Sequence, residues 1–281
     1  MFWWLMMILM VVASYAWLIR PNLPRRDISS LLGVDYAHRG LWTTNDPGTD
    51  PEKNRPENSL AGFRAAVEKG YGIELDVHLT ADGHLVVHHD DSLKRLTGVD
   101  IQIAKSTLEE VRACKLPNGE AVPTFDEVLE AVDGKVPLIV EVKVEGNAAA
   151  LSQAVYRRMR RYTGPWCMES FDPWAVGWFR KNAPEVIRGQ LAFNNAGKGK
   201  TWAQWKRNLG VASMLQNVWA RPDFMALDHK TEKMWWLPSL LLRWMKPWFV
   251  AWTVRSQQDM DALRGKYVLQ IFEKFEARKP E

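Results

Sequence analysis

The octapeptide Gly72 to Leu79, Gly-Ile-Glu-Leu-Asp-Val-His-Leu, reads as a strand with two opposed characters. Residues two apart in a strand share a face. Ile73, Leu75, Val77 and Leu79 therefore point one way, and Glu74 and Asp76 the other. Two carboxylates on one face of an otherwise apolar strand repel each other and resist burial. A hard cation between them relieves both problems, and oxygen ligands suit Mg²⁺ or Ca²⁺. The neighbouring segments supply histidines. Tyr36-Ala37-His38-Arg39-Gly40 ends a preceding strand, and Leu85-Val86-Val87-His88-His89-Asp90 follows. By parity His89 shares the face of Leu85 and Val87, whereas His88 goes with Val86 toward a helix layer. His78, His84 and His88 are read as structural residues.

This set of segments, with Pro56-Glu57-Asn58-Ser59 between them, resembles the glycerophosphodiester phosphodiesterase family of TIM-barrel, metal-dependent hydrolases. The resemblance covers about residues 34 to 275. Leu138-Ile139-Val140-Glu141-Val142-Lys143 is similar to the family's Glu-x-Lys strand, Glu169-Ser170-Phe171 to its Ser-Phe strand, and Trp252-Thr253-Val254 to its late Trp-Thr-Val strand. A lone His-Arg-Gly would mean little, but five ordered motifs mean much. One departure stands out. Many members carry Thr-Asp-x-Pro after the last strand, and here the stretch is Val268-Leu269-Gln270-Ile271-Phe272-Glu273. A closing strand is expected there, without that aspartate's substrate contact.

The chain has 281 residues. Without its first twenty or so, it matches the roughly 250 of one TIM barrel. Strands are expected near 33–39, 72–79, 84–89, 136–144, 165–170, 186–192, 223–227 and 248–254. Helices begin at Asn58 or Ser59, at the capping-box patterns Ser106–Glu109 and Thr124–Glu127, near 147, at Asp172-Pro173 and at Ser256. This alternation argues for α/β with a parallel sheet. It does not separate a closed barrel from an open sheet, and the resemblance implies the barrel. Two cysteines, Cys114 and Cys167, suggest no disulfide framework. A net charge of +4 suits an anionic substrate or membrane surface, while the lack of a dense basic run argues against nucleic acid.

Met1 to Ile19 contains no charged side chain. As a helix it spans about 28 Å, close to a bilayer core of about 30 Å. A signal peptide would begin with a cationic region, so an uncleaved anchor fits better. Arg20, Arg25 and Arg26 follow it, which places the next domain on the cytoplasmic face. The expected organisation is an anchor at 1–19, a linker at 20–32 and a catalytic domain at 33–281. Two tryptophan-rich segments, 201–220 and 234–249, suit either a membrane interface or the helix layer of the barrel. The second is expected beside the anchor and the catalytic mouth.

The resemblance implies one divalent cation, Mg²⁺ or Ca²⁺, on Glu74, Asp76 and Glu141. It implies His38 and His89 as the acid–base pair, imidazole titrating near neutral pH. Arg39 and Lys143 would bind the phosphate. Glu57 would contact the glycerol moiety or serve a helix-capping or structural role, and Trp252 would pack against the substrate carbons or fill the barrel mouth. The expected reaction is hydrolysis of glycerophosphodiesters to glycerol 3-phosphate and an alcohol. Two alternatives stand beside it. One is a lysophospholipase D acting on single-chain lipids at the membrane. The other is a non-catalytic membrane protein that binds phospholipid headgroups.

Overall fold

The structure is a computed structural model and describes residues 2–50, 52–193, 201–230 and 236–278. Met1, Met234, Trp235 and 279–281, which the expectations include, lie outside these. In chain order come α1 (Phe2–Ile19), β1 (Tyr36–His38), α2 (Leu60–Lys69), β2 (Gly72–Leu79), β3 (Leu85–Val87), α3 (Lys94–Thr97), α4 (Leu108–Ala113) and α5 (Phe125–Val132). Then follow β4 (Leu138–Val142), α6 (Ala148–Met159), β5 (Trp166–Ser170), α7 (Pro173–Asn182), β6 (Arg188–Ala192), α8 (Trp202–Ser213) and α9 (Asn217–Ala220). The last are β7 (Phe224–Asp228), α10 (Trp236–Met245), β8 (Trp248–Val254), α11 (Gln257–Leu263) and β9 (Leu269–Phe272).

Eight parallel strands close in the order β1, β9, β8, β7, β6, β5, β4, β2, with β2 paired back to β1. This is the TIM barrel expected. Its membership differs in one strand. Residues 84–89 do not contribute a barrel strand, because β3 pairs antiparallel with the end of β2. The turn is tight: Gly83, at φ +85°, donates its N–H to the Thr80 carbonyl. A parallel neighbour needs a crossover of a dozen or more residues, and this connection is too short for one. The eighth strand is β9, the expected closing strand.

Alternation sorts the core into two layers. Tyr36, Ile139, Cys167, Leu191, Phe224, Val250 and Ile271 fill the barrel interior. The opposite strand faces, among them Ile73, Leu75 and Val140, pack beneath the helices with Phe63, Val128 and Phe179. The segment 98–123 around α4 has its own small cluster with Ile103, Val111 and Val122.

Residues 20–32 lie against the base of the barrel. Arg26 donates to the carbonyls of Pro184, Glu185 and Val186, ahead of β6, and Trp248 Nε1 donates to the Arg26 carbonyl. Asn22 bonds Asp223 and the carbonyl of Pro222, ahead of β7. Ile28 and Leu31 join the interior cluster from below. At the end of α1, Ile19 is buried and Arg221 holds the Trp17, Leu18 and Arg20 carbonyls. Residues 2–11 of α1 are exposed. Among the described helices, α1 alone is long and apolar enough to cross a membrane. It packs on α10, and the two enclose an apolar groove between Leu9, Val12, Leu241 and Trp244. Leu242 of α10 is buried in the helix layer while Leu240 and Trp244 are exposed.

Candidate active site

Interior faces of the strands are apolar at the base and become charged at the C-terminal rim. Tyr36 is followed on its face by His38, Ile139 by Glu141 and Lys143, Cys167 by Glu169, and Ile271 by Glu273. Register sets these residues at one height: His38 pairs with Glu74, Asp76 with Glu141, and Glu141 with Glu169. Carboxylate oxygens of Glu74, Asp76 and Glu141 all lie within 4.8 Å of one another.

The sequence around His38 explains how the chain leaves the barrel here. Arg39 and Gly40 both take positive φ, +59° and +81°. A Cβ at Gly40 would meet Gly62 and Phe63 at 3.0 Å, so only glycine fits without a shift. The turn aims the Arg39 N–H at Glu74 Oε2, 3.0 Å away, and its Nη1 at Glu57 Oε1, 2.9 Å away. Asn58, also at positive φ, donates Nδ2 to Asp76 Oδ2 at 2.8 Å. Ser59, the next residue, caps α2. Of the two candidate caps Ser59 is therefore the real one, and Asn58 serves the acidic cluster.

His38, Arg39, Glu57, Glu74, His89, Glu141, Lys143 and Trp252 line a single cavity of about 320 Å³. Asp76 is fully buried against it. Lys143 Nζ lies 3.0 Å from Asp76 and 2.7 Å from Glu141. Trp252 donates Nε1 to the Ala226 carbonyl and sets its ring edge-on to Phe171. His88 is fully buried, outside the lining, with Nδ1 against the Asp90 backbone. Both histidines follow the end of β3 at Val87, and of the two only His89 lines the cavity. No described residue of 236–249 lines the cavity. The second tryptophan-rich segment packs beside α1 through α10.

Sequence reasoning missed several partners. Glu273 Oε2 lies 2.6 Å from His38 Nδ1, and Arg255 holds its other oxygen. Asp90 Oδ1 lies 2.6 Å from His89 Nδ1. Arg95 bridges Asp90 and Glu57. Glu169 is buried beside Glu141. Parity alone would have flagged Glu169 and Glu273.

Burial, then the charges of Asp76, Glu141 and Glu169, push Glu74 well above the usual carboxylate range. Burial also raises Glu141 and Glu169. For Asp76 burial is outweighed by Lys143, His89 and Arg39, which hold it well below that range. Glu74 Oε1 and Glu169 Oε2 are buried without hydrogen-bond partners. Four buried carboxyls thus face one lysine and one arginine, a donor set that fits a hard dication. A second group, His78, Asp91 and Glu145, also has donor atoms within 4.8 Å of one another. Burial lowers His89 to about 4 and also lowers His38, where Glu273 pulls the other way.

Comparison with known proteins follows the geometry. Residues 38–268 match the model of the glycerophosphoryl diester phosphodiesterase family. A glycerophosphodiester phosphodiesterase from Caldanaerobacter subterraneus is 32% identical over 55% of this chain and 65% of its own length. Human lysophospholipase D GDPD1 is 33% identical over 58% of this chain and 54% of its own. The chain therefore spans a little over half to just under two thirds of these relatives. An Oleispira antarctica phosphodiesterase, solved in complex with sn-glycerol-3-phosphate, superposes with a TM-score of 0.66 at 22% identity, covering 88% of this chain and 94% of that one. At that identity the likeness concerns the fold.

Proposed function

This chain belongs to the glycerophosphoryl diester phosphodiesterase family, and on that premise we propose that its barrel hydrolyses glycerophosphodiesters to glycerol 3-phosphate and an alcohol. The observation that carries this reading is the convergence of Glu74, Asp76 and Glu141 between two histidines, each with Nδ1 against a carboxylate. Those three carboxylates would hold one Mg²⁺ or Ca²⁺. When bound, the dication supplies electrostatic stabilisation to the charge that grows on the phosphoryl oxygens. Arg39 and Lys143 bind the phosphate, which carries a charge that repels nucleophiles. Glu273 and Asp90 orient the two rings and leave each Nε2 for proton transfer, one to take a proton from the nucleophile and one to give a proton to the leaving alcohol. Glu57, held by Arg39, Arg95 and Asn45, fixes the wall on which the glycerol moiety rests. Trp252 packs against the substrate's carbon atoms.

A second reading, lysophospholipase D activity on single-chain lipids, draws on the likeness to the human enzyme of that name and on α1 as a single-pass anchor. Arg20, Arg25 and Arg26 favour a cytoplasmic catalytic domain. A protein that merely binds headgroups has no use for two carboxylate-backed histidines. The test is turnover of glycerophosphocholine, lysophosphatidylcholine and an aryl phosphodiester by the full chain in detergent. Chelator should abolish turnover, and Mg²⁺ or Ca²⁺ should restore it. Chelator-resistant turnover would sink the proposed cation.

A further inference from the structure

Beside the central cavity lies a second one of about 450 Å³. The two share Glu141, Lys143 and Phe171, so a phosphodiester centred on the carboxylate cluster has one arm directed at each. Their characters differ. The central cavity is rich in polar and charged side chains such as Arg39, Asn45, Glu57 and Arg95, as a polyhydroxyl group requires. The second is walled by Val142, Val144, Pro173 and Val211, with α8 on one side. Phe171 and Phe193, both in its lining, meet edge-to-face with centroids 5.5 Å apart.

One carboxylate in this apolar wall stands out. Asp91 is exposed, and Lys143, which shares the lining, is already engaged by Asp76 and Glu141. A carboxylate oxygen of Glu145 and a ring nitrogen of His78 lie within 4.8 Å of Asp91. The imidazole leans on Glu145, with Nδ1 to Oε1 at 2.8 Å. This corner therefore carries two carboxylates against one imidazole.

Hydrocarbon walls, aromatic rings and an acidic corner are the elements that recognise an organic cation. Methyl or methylene groups bury against valine and phenylalanine, the rings attract the positive charge, and the carboxylate supplies the balancing ion. Of the remaining polar side chains in the lining, Ser170 and Asp172 are engaged by the Val142 carbonyl and the start of α7. A polyol in the same place would find mainly Gln216 and would set its other hydroxyl groups against Val142, Val144 and Val211. Resting on the diesterase reading above, we propose that this chamber receives the leaving alcohol and selects alcohols that carry an ammonium group. Choline- and ethanolamine-like esters would be preferred over glycerol- or inositol-like ones.

The experiment uses the full chain in detergent with the activating cation. Choline and its neutral isostere 3,3-dimethylbutanol are compared as inhibitors, and kcat/KM is measured for glycerophosphocholine and glycerophosphoglycerol. Wild type should bind choline roughly tenfold better than the isostere. It should prefer glycerophosphocholine by a similar factor. Asp91→Asn should erase the choline–isostere difference and cut the substrate preference by roughly tenfold. Phe193→Leu should cut it by about threefold. Equal inhibition by choline and the isostere in wild type overturns the proposal with no variant needed. So does an Asp91→Asn enzyme that loses both substrates by one factor. Turnover of both diesters without preference removes the chamber's role and leaves the diesterase reading intact. Turnover of neither removes both.

Discussion

Glu74 shows most plainly what the buried acids demand of this barrel. Its carboxyl sits beside Asp76, Glu141 and Glu169, and burial with those charges raises it well above the usual range. An acid raised in the folded state stabilises the fold below its ordinary value of about 4.5, and that contribution is lost as pH rises through the folded value. In cation-free protein Glu74's own contribution should therefore fall as pH climbs above about 4.5, against the opposite contribution of the lowered His38 and His89, and Glu74→Gln should remove that fall. In chelator at neutral pH the variant should melt no lower than wild type, yet show no turnover and a smaller rise in Tm with Ca²⁺. A variant that melts lower in chelator would contradict the repulsion argument. Glu273 makes a second case. It holds His38 Nδ1 at 2.6 Å, and its own carboxyl is pulled down to about 2 by His38 and Arg255 despite burial. A carboxylate partner raises an imidazole pKa, so Glu273→Gln should move the His38 limb of the pH–rate profile to lower pH, by about one unit. Turnover should fall about tenfold or more, less than the hundredfold or greater loss expected for His38→Ala or His89→Ala. An unmoved limb would make Glu273 a mere structural partner. Glu273 was hidden because its stretch lacks the family's aspartate, although its parity with Ile271 already pointed it at the mouth.

At the scale of elements, propensity and capping located most helices and strands, and the errors have specific causes. Leu85 to His89 looks like any short buried strand, but only the residues from Thr80 to His84 separate it from β2, and that spacing dictates a hairpin. Ser106-Thr107-Leu108-Glu109-Glu110 fits a capping box in two frames, and the fold uses Thr107 with Glu110. The frame has a measurable consequence. Thr107→Ala and Thr124→Ala should each cost about 1 kcal/mol of stability, whereas Ser106→Ala should cost little; equal losses at Ser106 and Thr107 in denaturant titrations would reject the frame. The segment 20–32 was least legible, because Pro21, Pro24 and three arginines read as a tether. Its hydrogen bonds go to carbonyls and an acid at the starts of β6 and β7, partners that no local pattern announces. A chain beginning at Ala13 keeps Tyr15 on the Ser213 carbonyl and every carbonyl that Arg221 holds, and should consequently melt close to the full chain. One beginning at Asp27 loses Ile19, the Asn22–Asp223 bond and all the Arg26 bonds, and should be less stable by roughly 2–4 kcal/mol.

For the whole molecule, the anchor candidate joins the barrel at its base but runs back along the flank toward the mouth. The end of α1 joins the barrel where β6, β7 and β8 begin, through Ile19, Asn22 and Arg26. His38, Glu141 and Lys143 stand where the strands end. From the base α1 climbs the flank: Tyr15 bonds the Ser213 carbonyl at the end of α8, and α8 supplies Gly210 and Val211 to the chamber beside the central cavity, so the exposed residues 2–11 lead toward the mouth side. The apolar groove between α1 and α10 runs along the same flank and shares no residue with the central cavity. A lysolipid that keeps its tail in the bilayer while its headgroup reaches Glu74 avoids about 0.8 kcal/mol for each CH₂ otherwise moved into water. Substrate access should then follow the lipid's concentration in the membrane and not its monomer concentration. In vesicles holding the full chain, glycerophosphocholine turnover should match that in detergent. Lysophosphatidylcholine turnover at fixed total lipid should hold or rise as the tail grows from about eight to about sixteen carbons. A chain beginning at Ala13, with no span to hold the mouth at the vesicle, should instead lose turnover steeply as the tail grows. Turnover that falls steeply with tail length in both chains would place the mouth away from the bilayer and overturn the lipid-access reading of the tryptophan-rich segment.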